Sequence, residues 1–429
     1  MRKKLEFQAD RIEAVLSLHK VPARVTGGTV TPRWVRFQVL PALGAKISKI
    51  RNLNEELAAA LDAPNCRVSR RGAAVAVEVP RDDPRPVRLL SLYNQLTNQP
   101  TNQPTNLPVG QTGHSSIPPV TAILGLAEDG APLLIRLPSP DVAHILVAGT
   151  TGSGKTMLLQ TMILSLAMTN PAHQRISASA TDESAHWRIA DSPTRSIAMV
   201  LIDPKGHAFG LFDGLPHLAR PVVRDVEEST EAFQSLVHLM ERRGGVRNPQ
   251  FPVVVVIDEL ADLLMMGGKS VQEPLTRLTQ RGREAGIHII AATQKPTSAL
   301  LGPLVKANFP VRLVGRVTSA EDARTASGWS GTGAERLLGR GDFIAVAEGR
   351  VTRFQVAHVS QAEIRKVVER LGDTSTGLST SGGWKMEDGR SRVRSVIPSL
   401  APSRPISLPW PVSQLTGVMR RSIPGGASC

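Results

Sequence analysis

Eight residues, Gly149 to Thr156, carry the spacing G-x-x-x-x-G-K-T, which is typical of a loop that binds phosphate. The loop lies between an apolar, strand-like run and an amphipathic, helix-like run. Glycines lack Cβ atoms, so backbone N–H groups can close around phosphate oxygens, and the following helix adds the positive end of its dipole. Lys155 can reach the β- and γ-phosphates, and the Thr156 hydroxyl can ligate Mg²⁺. The pattern predicts an ATP and Mg²⁺ site formed by Gly149, Thr150, Thr151, Gly152, Ser153, Gly154, Lys155 and Thr156.

Two adjacent carboxylates can supply the second half of such a site. The run VVVVIDE places Asp258 and Glu259 at the end of a strand predicted over Phe251–Glu259. We expect Asp258 to hold Mg²⁺ and Glu259 to polarise the attacking water. Two alternatives stay open: Asp203 in MVLIDPK takes the metal, or the pair only caps a helix that begins at Leu260.

Polar residues on either side of another apolar run are weaker candidates. Gln294 follows the run directly, where an amide can sense the γ-phosphate. Arg281 and Arg283 precede it, and an arginine offered across a subunit boundary stabilises transition-state charge. Taken alone, a glutamine after a strand is more often an ordinary loop residue, and an exposed arginine is usually a solvated cation.

The elements that must position these residues alternate between strands and helices. Near-continuous β-branched runs separated by helices indicate a parallel sheet that is covered on both faces. The predicted strands are Ile197–Pro204, Phe251–Glu259, Gly286–Thr293 and Phe309–Val317.

Composition changes divide the chain into four parts. Residues 1–93 are predicted to form a small basic α/β domain, with strands at Thr31–Leu40 and Ala73–Pro80 and a helix at Ala45–Asp62. Residues 94–117 form an Asn/Pro-rich linker that cannot build a core. Residues 118–371 form the P-loop domain, in which 173–195 is an exposed insertion. Residues 372–429 form a largely disordered basic tail.

Charge and composition narrow the possible partners. The net charge is +14, and residues 1–93 contribute +8 of it (17 Lys/Arg against 9 Asp/Glu), which favours a polyanion such as nucleic acid or simply a solvated basic surface. Aromatic residues make up 3%, too few for a surface that stacks many bases. The two cysteines lack metal-ligand spacing, and no apolar run is long enough to span a bilayer. We therefore expect a cytoplasmic protein without an integral membrane segment.

Longer motifs resemble the motor region of FtsK/SpoIIIE-type DNA translocases. Their order along the chain is HILVAGTTGSGKT, LIDPKG, VVIDELADLLMM, RGREAGIHIIAATQKP, LVKANFPVRLVGRV and GAERLLGRGDF. The segment TPRWVRFQVLPALGAKISKIRNLNEELAAAL resembles the small α domain of the same motors. The resemblance implies an α/β fold: a RecA-like P-loop NTPase domain with a mostly parallel sheet covered by helices, preceded by a small α/β domain.

The same resemblance implies an ATPase that pulls double-stranded DNA through a homo-oligomeric, usually hexameric ring, in DNA transfer or partition. It makes Glu259 and Gln294 catalytic, assigns Arg283 to the active site of a neighbouring subunit, and places Arg324 at a basic position near the interface. The chain departs from full-length FtsK in having no membrane spans and no recognisable winged-helix pattern, so a septal role is in doubt. A protein-secretion ATPase and a nucleotide-switched DNA-binding protein without translocation are the alternative functions.

Two segments are expected to line the DNA channel. One is the turn after DPK, Gly206–Leu218, and the other is a turn at Met265–Ser270. The second offers glycine flexibility and one cation, Lys269, for a backbone phosphate, although Lys269 is also explained as an ordinary exposed loop lysine. The basic domain at 1–93 is expected to form a second ring around the same duplex.

Overall fold

The computed structural model describes residues 2–31, 33–72, 74–97, 117–170, 197–244, 251–294, 308–374 and 413–415. The predicted insertion at 173–195, most of the predicted linker and most of the predicted tail lie outside these ranges. Two compact units are present: Met1–Val87 with Glu128–Gly130, and Arg88–Ala127 with Ala131–Cys429.

Unit 1 is built on a four-stranded antiparallel sheet with the strand order β1-β2-β4-β3. Strand β2 alternates buried and exposed residues, which is the period-2 pattern of a sheet with one face in the core. The elements are α1 (Arg2–Leu18), β1 (Ala23–Val30), β2 (Trp34–Pro41), α2 (Ile47–Asn52), α3 (Asn54–Ala60), β3 (Arg67–Arg71) and β4 (Ala74–Pro80).

The single helix predicted over Ala45–Asp62 is wrong, because the structure has two helices that meet at Leu53. Leu53 leaves helical geometry at φ −91°, ψ 23° and is buried, as are Ile50 and Leu57 on either side of it. The apolar spacing continues across the break, so periodicity alone did not reveal it.

Unit 2 is built on a ten-stranded sheet. The strand order is β14-β6-β5-β13-β12-β11-β7-β10-β9-β8. Its elements are α4 (Leu89–Thr97), β5 (Thr121–Ala127), β6 (Pro132–Arg136), β7 (Ile145–Ala148), α5 (Lys155–Thr169), β8 (Ala198–Ile202), α6 (Val226–Arg242), β9 (Val253–Ile257), α7 (Leu260–Arg281), β10 (Ile287–Thr293), β11 (Val311–Val314), α8 (Ala320–Ser327), β12 (Asp342–Ala347), β13 (Arg350–Val356), α9 (Gln361–Thr374) and β14 (Ser413–Leu415).

The centre of this sheet is parallel, as predicted. Strands β11, β7, β10, β9 and β8 are parallel neighbours, and every residue of β7, β8, β9 and β10 is buried. Continuous burial is expected of strands that are covered on both faces. The antiparallel extension through β12, β13, β5 and β6 was not predicted. The α/β class and the small domain that precedes the P-loop are confirmed.

The turn predicted at Met265–Ser270 corresponds to a break within helix α7, which continues on the far side of it. The helix is kinked at Gly268, whose φ of 51° and ψ of −132° are non-helical. A Cβ on the preceding Gly267 would lie 2.3 Å from Cγ2 of Val271, so a side chain there would force the helix to shift. The kink leaves Met265, Met266 and Lys269 exposed.

Candidate nucleotide-binding site

Strand register places the candidate residues at one edge of the parallel sheet. Ala148, the last residue of β7, pairs with Thr293 of β10 and Val314 of β11. Ile257, the last residue of β9, pairs with Ile202 at the end of β8. The segments that leave these strands therefore share the carboxyl edge, where ligands bind in open α/β sheets. They carry Gly149–Thr156, Asp203, Asp258, Glu259 and Gln294.

The phosphate-type loop depends on glycine at close contacts. Gly149, Gly152 and Gly154 have φ values of 155°, 78° and 105°. A Cβ on Gly149 would lie 2.8 Å from Ser153 Oγ, and one on Gly154 would lie 2.7 Å from the backbone nitrogen of Gly341. Helix α5 begins at Lys155, within the motif, and no side chain caps it. Its first-turn N–H groups are therefore available to an anion.

Hydrogen bonds from Thr150 and Thr151 connect the loop to neighbouring segments. The backbone N–H and the hydroxyl of Thr150 both donate to the carbonyl of Arg316, at 2.8 and 3.0 Å. The Thr151 hydroxyl donates to Oε1 of Gln294 at 2.9 Å. Lys155 is buried, and this burial lowers the pKa of its ammonium, while the charges of Glu259 and Asp258 raise it. Thr156 is exposed.

An aspartate directly follows each of two neighbouring strands: Asp203 follows β8, and Asp258 follows β9. Burial, followed by the charge of Asp203, raises the pKa of Asp258 to about 6. Asp203 is fully buried, and its Oδ2 accepts the backbone N–H groups of Ala208 and Phe209 at 2.7 and 3.0 Å. One oxygen of Asp203 thus organises the turn after β8, while among the described residues its Oδ1 has no hydrogen-bond partner.

Glu259 is buried in a polar cluster that joins the loop to the end of β8. Its Oε1 and Oε2 lie 3.1 and 3.3 Å from the Gln294 backbone nitrogen, which donates to the carboxylate. The Lys205 ammonium lies 3.9 Å from Glu259 Oε2 and 2.8 Å from Asp262 Oδ2. The hydrogen bond to Asp262 and the nearby carboxylates raise the pKa of Lys205. Sequence reasoning missed Lys205, although it follows Asp203 in the DPK motif.

The remaining candidates lie on other segments of the chain. Arg283 is exposed in the connection between α7 and β10, at the amino end of β10. A strand of seven residues separates it from Gln294, roughly 20 Å along the sheet. Arg324 is exposed on α8, beyond the carboxyl end of β11, and Lys269 is exposed beside the kink in α7.

Two features are absent from the described residues. None of the described helices is both long and apolar enough to cross a membrane. Groups of three or more His, Cys, Asp or Glu able to hold a metal are absent from the same part of the chain. Mg²⁺ does not require such a group, because it binds through one or two carboxylates together with substrate phosphates and water.

Comparison with known proteins gives consistent matches over both units. Residues 1–81 match the FtsK alpha domain, and residues 111–175, 189–248 and 244–298 match the FtsK/SpoIIIE family. DNA translocase FtsK of Sporosarcina ureae is 32% identical over 395 residues, which cover 85% of this chain and 45% of that relative. DNA translocase SpoIIIE of Bacillus subtilis (strain 168) is 32% identical over 401 residues, covering 86% and 46%. The chain therefore spans somewhat less than half the length of these relatives.

A solved structure shares the fold. The pCW3 conjugation coupling protein TcpA, in its monomer form with ATPgS, superposes with a TM-score of 0.52 at 17% identity. The superposition covers 85% of this chain and 99% of the TcpA chain.

Proposed function

This chain belongs to the FtsK/SpoIIIE family, and we propose that it hydrolyses ATP to translocate double-stranded DNA. The observation that carries the proposal is the meeting of a phosphate-type loop with Lys155, Asp258 and Glu259 at one sheet edge. DNA as the substrate is supported by the relatives, which are named DNA translocases, and by the net charge of +14.

Nucleotide and metal binding are assigned to the loop and the strand ends. The N–H groups of 149–156 and the Lys155 ammonium would bind the phosphates. The exposed Thr156 hydroxyl and the Asp258 carboxylate fit Mg²⁺, because both offer oxygen, and Asp258 lies where a second aspartate makes an added cation favourable. Asp203 is the weaker candidate because its Oδ2 is held by two backbone N–H groups. Bound Mg²⁺ would neutralise charge on the β- and γ-phosphate oxygens.

Glu259 is assigned as the general base. It would accept a proton from the attacking water as the water oxygen bonds to the γ-phosphorus and the bond to the ADP oxygen breaks. The Gln294 backbone N–H and Lys205 restrain its carboxylate. Because the Gln294 side chain also accepts a hydrogen bond from Thr151, this residue links the loop to the base, which supports its role as the γ-phosphate sensor.

A homo-oligomeric ring, hexameric as in the family resemblance, would complete the site. Arg283 lies at the sheet edge opposite its own loop, so it could serve only a neighbouring subunit. Arg324 is assigned to the same interface from the carboxyl side.

Lys269 and the segment after β8 are assigned to duplex DNA. A cytoplasmic location is proposed from the low cysteine content, two in 429 residues.

Steady-state ATP hydrolysis tests this function. We would compare the wild type with Glu259→Gln, with and without long linear duplex DNA, at low and moderate salt. Glu273→Gln is the matched control, because it makes the same charge change at an exposed position of helix α7.

The outcomes separate three kinds of protein. Duplex-stimulated hydrolysis that Glu259→Gln abolishes and Glu273→Gln retains supports the motor, and displacement of a DNA-bound roadblock then demonstrates translocation. Hydrolysis at the same rate with and without DNA contradicts the proposal and favours a protein-secretion ATPase. DNA binding that responds to nucleotide without displacing the roadblock favours a switch.

A further inference from the structure

The motif GAERLLGRGDF supplies a turn that packs behind the phosphate-type loop. The backbone N–H groups of Arg340 and Gly341 donate to the carbonyls of Gly152 and Ser153, at 2.9 and 2.7 Å. The approach is close, because a Cβ on Gly154 would lie 2.7 Å from the Gly341 nitrogen. We refer to Gly339–Gly341 as the backing turn.

These two hydrogen bonds fix the direction of the peptide groups in the loop. A trans peptide is planar, and its C=O and N–H point in opposite directions. When the Ser153 carbonyl is directed at the backing turn, the Gly154 N–H must therefore point to the other side of the loop. A carbonyl that rotated into the loop would present negative charge to a phosphate, so the backing turn favours the orientation that binds anions.

A buried ion pair holds the backing turn. Asp342 Oδ1 accepts from Nε of Arg353 at 2.7 Å, and Asp342 Oδ2 lies 2.6 Å from a terminal nitrogen of the same guanidinium. Asp342 Oδ2 also accepts the backbone N–H of Leu338 at 2.9 Å, which closes the turn from its other end. Both charged side chains are almost fully buried. The Gln355 amide adds a hydrogen bond to the carbonyl of Arg340 at 3.2 Å.

We propose that Asp342 and Arg353 are positioning residues for nucleotide binding, acting through the backing turn on the peptide groups of Gly152 and Ser153. Neither side chain needs to touch the nucleotide. The inference rests on the proposed ATP site and adds to it residues from the antiparallel strands β12 and β13. Its consequence is that a change remote from the phosphates weakens their binding.

Asp342→Asn tests the inference, because it keeps the shape of the side chain and removes its charge. We expect the KM for ATP and the Kd for ADP to rise about tenfold, by analogy with the loss of a residue that orients a metal ligand. The value of kcat should change much less than KM. The control is Glu78→Gln in unit 1, where Glu78 pairs with Arg36 at 2.8 and 2.7 Å and is equally buried. It should lower Tm and leave KM unchanged.

Two further variants keep the test decisive if Asp342→Asn is unstable. The double variant Asp342→Leu with Arg353→Met removes both charges, so no unpaired charge stays buried, yet Leu338 still loses its acceptor. Gln355→Ala removes a single hydrogen bond and should raise KM about threefold. The inference is overturned if the folded variants bind ADP as the wild type does. If the wild type itself binds neither ATP nor ADP, the proposed function has failed instead.

Discussion

The two edges of the parallel sheet in unit 2 hold opposite kinds of buried titratable groups. At the carboxyl edge, charged side chains are brought together, and burial beside Asp203 raises the pKa of Asp258 to about 6. At the amino edge, His144 directly precedes β7, and His288 lies near the start of the neighbouring strand β10. Both histidines are buried. Burial lowers both pKa values, that of His144 to about 4 with a further contribution from the charge of His288. One edge concentrates charge, and the other keeps buried rings neutral.

In the proposed ring, this difference would divide the active site between two subunits. The carboxyl edge contains two lysines, a candidate base and candidate metal ligands, and its carboxylates outnumber its cations. Arg283 projects from the amino edge as an exposed cation. If Arg283 acts on a neighbour's nucleotide, as proposed, the contact between subunits is head-to-tail, and such contacts form a ring when the rotation between subunits closes.

The largest effect is expected from Glu259→Gln at the carboxyl edge. Removing a general base should lower kcat by about a thousandfold. ATP binding should survive, because Lys155 and the loop are unchanged. Single-turnover hydrolysis together with the Kd for ATP measures both quantities. Loss of ATP binding in a folded variant would show that Glu259 supports the loop rather than the chemistry.

The amino edge gives the second prediction, Arg283→Ala. We expect kcat to fall by about a hundredfold or more with little change in Kd for ATP, because the cation acts on a neighbour's transition state. Arg281→Ala, an equally exposed change two residues earlier, is the control. Mixing Arg283→Ala with inactive Lys155→Ala subunits should restore part of the activity, since some interfaces then combine an intact loop with an intact arginine. Absence of this complementation would contradict action across the boundary.

Sequence patterns predicted which segments end at the carboxyl edge, because the signals of these segments are local. The glycine spacing of 149–156 and the acidic end of VVVVIDE both belong to continuous stretches, and the structure places these stretches at the ends of β7 and β9, the two strands that flank β10. The motif at 339–341 was visible in the sequence, yet its contact with Gly152 was not. That contact depends on the register that brings β11 beside β7, which no local pattern encodes.

Lys205 is a second residue whose contacts cannot be predicted from local sequence. Its neighbours in sequence place it after a strand, but its charge partners lie on the next strand connection and on helix α7. The adjacent glycines Gly267 and Gly268 predict a break in the chain, and the break occurs at Gly268. Packing of the flanking residue Val271 in the core keeps the chain helical on the far side of the bend. Tertiary packing decided both outcomes.

The neutral histidines predict how stability depends on pH. The folded-state pKa of His144 is depressed to about 4 from 6.5, so the unfolded chain binds the proton more readily between these values. Stability should therefore be fully present above about pH 6.5 and fall as the pH drops toward 4, by about 1 to 2 kcal/mol between pH 7 and pH 5.

Urea unfolding at pH 7 and pH 5 checks this effect in the wild type and in His144→Asn. The variant keeps an acceptor near the Ile289 N–H, which His144 Nδ1 binds at 3.1 Å, and lacks the titrating ring. Its loss of stability between the two pH values should be smaller. An equal loss in both proteins would assign the pH dependence to other groups.

The smallest effect is expected at Lys269, beside the kink in α7. This helix connects the carboxyl end of β9 to the amino end of β10 and bends at Gly268. Lys269→Ala should weaken duplex binding by a few-fold and reduce the salt slope of log K by about one, as expected for the loss of one phosphate contact. Lys366→Ala on α9 is the control, since Lys366 is also exposed. Binding titrations at several salt concentrations separate the two variants. If both give the wild-type slope, the kink serves the packing of α7 between the two edges, and DNA must be contacted through other residues.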